Sequence, residues 1–265
     1  MANDIRGFYV LGIKINELTL CRTIEIMNDW IINKKKNYIV LTGAHGIIEM
    51  QKDKELKRIN NEAGLVTPDG MPEVWLGKLK GFSRIEKVYA PEIMHSCFKV
   101  SAERGYKHFF YGGKEGVADK LEGVVNKEYP GIQIVGTYCP PFRPLTLEEK
   151  SSVVAQINDS RADVVWCGLG CPKQEKWMYE FRPLVNAAVL IGVGAGFDFL
   201  SGEKPLAPYW VTRSGFEWLY RVFGDPKRLF KRYGHVVPRF IYYNLVELLR
   251  GGFFNYSKRE GLDNG

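Results

Sequence analysis

Val164-Val165-Trp166-Cys167-Gly168-Leu169-Gly170-Cys171-Pro172-Lys173-Gln174-Glu175 runs from a β-branched and aromatic stretch, through a glycine-bearing loop, into the start of a helix. A short apolar strand that ends on small residues and gives way to a helical pattern is the repeating unit of a parallel α/β sheet. The transition recurs along the chain, with strands expected at about residues 9–15, 38–42, 65–67, 108–111, 132–135, 164–167 and 189–193. Helices fill the intervals. Thr146-Leu147-Glu148-Glu149 reads as a capping box opening a helix to about Asn158, since hydroxyl and carboxylate can each satisfy an orphan amide of the first turn. Pro130-Gly131 stops a helix that begins near Glu115. The expected fold class is α/β, a Rossmann-like, mostly parallel sheet flanked by helices.

In an open parallel sheet, the loops leaving the C-terminal strand ends gather along one edge, and ligands bind there. Those loops are Thr42-Gly43-Ala44-His45, Thr67-Pro68-Asp69-Gly70, Gly112-Gly113-Lys114-Glu115-Gly116, Gly168 to Glu175, and Gly192 to Asp198. Five strands thus deliver glycines and polar groups to one crevice. Gly112-Gly113 offers backbone amides ahead of a helix, where a phosphate can sit, but the spacing is neither a dinucleotide fingerprint nor a Walker loop. No acid follows the next strand to hold a ribose, which disfavours a dehydrogenase. Pro172 suits a first helical turn while Lys173 and Gln174 add a charge and an amide, a pattern that fits a diphosphate cradle and equally a capped helix with solvated side chains. Asp69, in Pro68-Asp69-Gly70, suits either a general base projecting into the crevice or a turn residue capping the next helix. Asp198 suits a structural role or a ligand hydroxyl. No Asp-x-Asp pair is present to bridge a nucleotide sugar through a metal, and His45 and Glu49, one turn apart, are expected to share a hydrogen bond.

The 265 residues, 45% hydrophobic and 25% charged, exclude disorder and fibrous structure. The longest apolar stretch, 187–197, has eleven residues, short of the roughly 20 needed to span a bilayer. An acid stands near the N-terminus where a signal peptide wants basic residues, so the expected location is cytoplasmic. Five scattered cysteines, an odd number flanked by aliphatics, are expected to be reduced thiols packed as small hydrophobes, and no metal or cofactor is expected. The net charge of +7 is uneven: from Arg221 onward nine Lys/Arg face four acids. A change of character near Gly224-Asp225-Pro226 divides the expected catalytic domain, 1–224, from a basic, amphipathic C-terminal appendage, 225–265. Within the latter, Pro238 and Gly251 bracket an expected helix from Arg239 to Arg250, preceded by Lys227-Arg228 and Lys231-Arg232 and followed by Phe253, Phe254 and Tyr256. Cations beside a wide apolar face suit an anionic membrane surface, or packing on the body or in a homo-oligomer, better than nucleic acid.

Thr67-Pro68-Asp69-Gly70-Met71-Pro72, Gly168 to Trp177, Gly192 to Asp198 and Gly215-Phe216-Glu217-Trp218-Leu219-Tyr220-Arg221, ending in Asp225-Pro226-Lys227-Arg228-Leu229, together resemble the WecG/TagA/CpsF glycosyltransferase family, glycosyltransferase family 26, with Met71-Pro72 and residues 140–145 most like its exopolysaccharide branch. The resemblance implies an inverting, metal-independent transferase. Such an enzyme moves a hexose or N-acetylhexosamine from a UDP-sugar donor to an undecaprenyl-diphosphate-linked saccharide during cell-surface polysaccharide synthesis, peripherally on the inner face of the cell membrane. It implies Asp69 as catalytic base and Pro172, Lys173 and Gln174 as donor-binding residues, to which the loop reading adds Thr42, Gly112, Gly113, Gly170, Glu175 and Asp198 as donor-binding candidates. For the acceptor diphosphate or the membrane it implies Arg221, Arg228 and Arg232, with Lys87 a further candidate that keeps the charge of the family's arginine. This sequence departs from the family's usual residues at Gly43 (Asn), Lys87 (Arg), Ala90-Pro91-Glu92 (Gly-x-Asp) and Leu206 (Arg). The competing readings are a nucleotide-binding oxidoreductase and a catalytically silent scaffold of a polysaccharide assembly complex.

Overall fold

Alternating apolar and turn-forming segments become alternating strands and helices in the computed structural model, which describes residues 5–224 and 226–250. In chain order these are β1 (Gly7–Val10), β2 (Ile13–Asn16), α1 (Leu20–Ile32), β3 (Asn37–Thr42), α2 (Ala44–Met50), α3 (Lys54–Asn61), β4 (Leu65–Pro68), α4 (Met71–Leu79), α5 (Ala90–Arg104), β5 (Lys107–Gly112) and α6 (Val117–Glu128). There follow β6 (Gln133–Tyr138), α7 (Leu147–Asp159), β7 (Val164–Gly168), α8 (Lys173–Phe181), β8 (Val189–Gly192), α9 (Gly196–Leu200), α10 (Tyr209–Ser214), α11 (Glu217–Gly224) and α12 (Pro226–Leu249). The expected capping box at Thr146 is present, with both reciprocal bonds to Glu149.

Six strands pair in parallel in the order β4-β3-β8-β7-β5-β6. Alternate residues of each strand face opposite sides, so Val40, Phe109, Tyr111, Val165 and Leu190 enter one apolar layer while Ile39, Phe110, Val164, Trp166 and Ile191 enter the other. Side chains of α2, α3, α4, α7 and α8 cover the first layer, and those of α1, α5 and α6 the second. Both faces are therefore buried, which is why these strands read as near-continuous apolar runs. Each fully buried aliphatic or aromatic contributes about 1.5–3 kcal/mol relative to exposure. The chain crosses the sheet between β4 and β5 and later fills the gap with β7 and β8. That topology leaves a switch point, with the ends of β3, β8 and β7 side by side.

Three sequence expectations change. The single strand expected at 9–15 is a hairpin of β1 and β2, because Leu11 and Gly12 both take positive φ (53° and 74°) and turn the chain back with Val10 opposite Ile13. The helix expected to start after Pro238 runs instead through that residue, from Pro226 to Leu249. Pro238 is exposed, and the helix is held to the body by Leu229, Val236 and Phe240, all buried. Of the cysteines, Cys97 and Cys167 are buried as expected, but Cys21 and Cys139 are exposed. Gly251, Phe253, Phe254, Tyr256 and the side chain of Arg228 lie outside the described residues, as does Asp225 at the expected domain division.

Candidate functional site

All the loops singled out above line one crevice of about 2300 Å³ along the C-terminal edge of the sheet. Its central carboxylate is Asp69. β4 ends at Pro68, and the Asp69 N–H donates to the Thr42 carbonyl of β3 at 3.0 Å, fixing the backbone. The cap of α4 is Gly70, with no side-chain cap bond, so the Asp69 carboxylate is not the helix cap that its turn sequence also allowed. Burial raises the Asp69 carboxyl above the usual range, opposed by Lys87 and Arg221 and assisted by Glu217. A base with a raised pKa and two cations nearby is suited to taking a proton from a hydroxyl.

Those cations come from distant segments. Lys87 is 2% exposed, its ammonium lies 4.1 Å from the Tyr89 ring centroid, donates to the Thr212 carbonyl at 3.2 Å and pairs with Glu217. Arg221, one turn further along α11, also pairs with Glu217 and lies over the Phe199 ring. Arg213 of α10 forks onto both oxygens of Glu92, at 2.9 and 3.0 Å, and donates to the Lys87 carbonyl. The segment after Pro205 is thus latched to the body through Lys87 and Glu92.

Across the crevice, the loop between β7 and α8 is braced from within. The Gln174 amide oxygen accepts the N–H groups of Gly170 and Gly194 at 3.1 and 2.9 Å, and its nitrogen donates to Glu175 at 3.1 Å. A side chain on Gly192 would place its Cβ 2.8 Å from that nitrogen, so the strand end must be glycine for the brace to fit. Glu175 is buried, which raises its carboxyl pKa. Pro172 is the N-cap, one position before the first turn in which the sequence reading set it, and Lys173 is exposed with its ammonium 4.3 Å from the Phe142 ring centroid. Gln174→Ala leaves two glycine amides without their acceptor. We expect it to destabilise the fold by about 2–4 kcal/mol in urea unfolding, and a loss below about 0.5 kcal/mol would contradict the brace.

Thr42, whose carbonyl accepts the Asp69 N–H, donates its hydroxyl to Asn60 at 2.7 Å. Gly112 has φ of +105° and abuts Gly168, whose carbonyl accepts the Gly113 N–H at 3.1 Å, so this pair of glycines joins two strand ends, and of the two only Gly113 lines the crevice. Asp198 lines the crevice and pairs with Lys204. Arg232 of α12 donates to His45 of α2, and His45 is driven down to about 4 by burial first and Arg232 second. His45 therefore meets Arg232 where the sequence reading paired it with Glu49. The structure thus clusters Asp69, Lys87 and Arg221, and the same crevice is lined by Gly170, Lys173, Gln174, Glu175, Asp198 and Arg232.

Two acidic residues escaped the sequence reading. Glu73, on the first turn of α4, is fully buried, with neither carboxyl oxygen in a hydrogen bond of good geometry. Burial pushes it up to about 8, against the pull of its own amide and that of Gly70. Glu217 lies 130 residues from Lys87, so no local pattern announces their pairing. At the mouth, α4 presents Trp75 and Leu79 and α12 presents Ile241, Leu245 and Leu248, all exposed apolar groups lining the crevice. Among the described residues no helix is long and apolar enough to cross a membrane.

A family model described as "Glycosyl transferase WecG/TagA/CpsF family" matches residues 8–252. Among curated proteins, the chain is 31% identical to an N-acetylglucosaminyldiphosphoundecaprenol N-acetyl-beta-D-mannosaminyltransferase of Bacillus subtilis (strain 168), over 67% of each chain. It is 25% identical to a protein of the same name from Staphylococcus aureus (strain MW2), over 83% of this chain and 85% of that one.

Proposed function

The chain belongs to the WecG/TagA/CpsF glycosyltransferase family, and on that premise we propose that it transfers a hexose or N-acetylhexosamine from a UDP-sugar to an undecaprenyl-diphosphate-linked saccharide, with inversion and without a metal. The observation that carries this reading is the Asp69 carboxylate, free of capping duty and flanked by Lys87 and Arg221 at the C-terminal sheet edge. In the proposed reaction Asp69 takes the proton from an acceptor hydroxyl. The oxygen attacks the anomeric carbon from the face opposite the departing group, the bond to UDP breaks, and UDP carries away the electron pair. The positive end of α8, Lys173, Lys87 and Arg221 offset the charge that builds on the diphosphate. Relatives whose names specify a GlcNAc-diphosphoundecaprenol acceptor and ManNAc transfer support this acceptor class and a UDP-linked amino sugar as the first donor to try.

The apolar mouth between α4 and α12 suits the prenyl chain, and the exposed aromatics Tyr209, Trp210, Phe216 and Phe223 of the α10–α11 segment suit the interface of an anionic membrane. On this reading residues from Asp225 onward act as a membrane-association appendage on the inner face of the cell membrane. Replacing Ile241, Leu245 and Leu249 together by serine leaves buried Val236 and Phe240 in place. It is expected to lower co-sedimentation with anionic vesicles several-fold, whereas unchanged co-sedimentation would contradict the docking surface.

The test of the reaction is UDP release from a panel of UDP-sugars with a short-chain prenyl-diphosphate GlcNAc acceptor, EDTA present throughout. Release that needs the acceptor and ignores EDTA is expected. Silence from every donor, with UDP bound normally in calorimetry, would favour the silent-scaffold reading.

A further inference from the structure

Lys87 is a lysine in a place where lysines are rarely found, 2% exposed, and a buried ammonium demands a counter-anion. The anion is Glu217, delivered by the first turn of α11. One of its oxygens, Oε2, meets the Lys87 ammonium, and the other, Oε1, meets the Arg221 guanidinium. These are the two cations that act most strongly on Asp69, and all four side chains line the same crevice. Two cations converging on one carboxylate beside a general base have the form of an anion seat whose occupant is the protein's own side chain.

We propose that Glu217 is the resting occupant of a diphosphate seat formed by Lys87 and Arg221, and that it yields the seat to the diphosphate of a substrate. The inference rests on reading the crevice as a transferase site. A carboxylate brings one charge and two acceptor oxygens, each engaged with one cation. A diphosphate brings more of both and replaces it, whereas a monophosphate competes less well. The exchange needs only the Glu217 side chain to turn away, because the Thr212 carbonyl keeps its hold on Lys87 and the Arg213–Glu92 fork keeps α10 in place. Substrate selection follows: cations already neutralised internally reject weak anions and open only to a ligand able to displace the carboxylate.

The experiment is calorimetric titration of the full-length protein with inorganic diphosphate and, separately, inorganic phosphate. Glu217→Gln keeps the shape and removes the competing charge, so it is expected to bind diphosphate roughly three- to tenfold more tightly than the native protein. Lys87→Met is expected to weaken the same binding. If folded Glu217→Gln binds diphosphate no more tightly, or less tightly, Glu217 is a strut for Lys87 and the proposal is overturned. Hydrogen exchange on the native protein gives a second readout in case the variant fails to fold: diphosphate should alter exchange in residues 212–221, and saturating diphosphate with no change there would also overturn it. Diphosphate exchange at this seat in a protein that transfers no sugar would strike the transferase reading and leave the seat standing.

Discussion

Asp69→Asn lowers the rate of sugar transfer by roughly a thousandfold and leaves UDP affinity within about twofold of the native value, because the change removes a base without removing a donor contact. The amide is isosteric, and the bond that sets the residue's position, Asp69 N–H to the Thr42 carbonyl, belongs to the backbone and survives. What disappears is the ability to accept the acceptor's proton as its oxygen attacks. In the native protein the rate should also fall on the acid side, as Asp69 becomes protonated. Burial raises this carboxyl, so the limb lies at higher pH than an ordinary aspartate would give, and Lys87 and Arg221 limit that rise. Rates measured with saturating donor across pH for the native protein and the variant check both statements. A variant that transfers sugar at the native rate would remove Asp69 as the base.

The largest expected effect on stability comes from Glu73. Its carboxyl rises from the ordinary 4.5 of a free glutamate to about 8 on burial, so the folded protein holds a proton that the unfolded chain releases. The raised folded pKa makes this group's contribution to stability complete below about pH 4.5 and lost progressively as pH climbs to about 8 and beyond. Between about pH 5 and pH 9 the loss is on the order of 4 kcal/mol. Glu73→Gln is neutral throughout. Urea unfolding should therefore find the variant and the native protein similar near the acid end and the variant more stable by several kcal/mol near the alkaline end. Parallel stability curves across that range would show that Glu73 is ionised in the fold.

The parallel sheet was legible because strands buried on both faces leave apolar runs, and because each ends in a glycine-rich loop. The crevice was legible for the same reason, since five such loops must share an edge once the strands are parallel. Asp69 was visible as a candidate, but its freedom from capping was not, since that depends on Gly70 taking the N-cap position. The hairpin at Leu11-Gly12 was missed because a single glycine inside an apolar run can mark either a turn or a bulge, and the positive φ of Leu11 has no sequence signature. Pro238 suggested a helix start, because an interior proline forfeits a backbone bond at a cost of about 3 kcal/mol, yet the helix runs through it with Val236 and Phe240 buried on either side. Gln174 was legible as a loop residue of interest, while its inward brace to Gly170 and Gly194 needed β8 beside β7. The Lys87–Glu217 pair was beyond any pattern reading, because only the folded topology joins residues so far apart.

The most direct measurement of the central claim is the mass and anomeric configuration of the product formed from a UDP-sugar and a short-chain prenyl-diphosphate saccharide, read by mass spectrometry and NMR. The account predicts an acceptor heavier by one hexose or N-acetylhexosamine residue, joined through an anomeric centre of configuration opposite to that in the donor. A product with the donor's configuration retained, or an acceptor of unchanged mass beside consumed UDP-sugar, would contradict it.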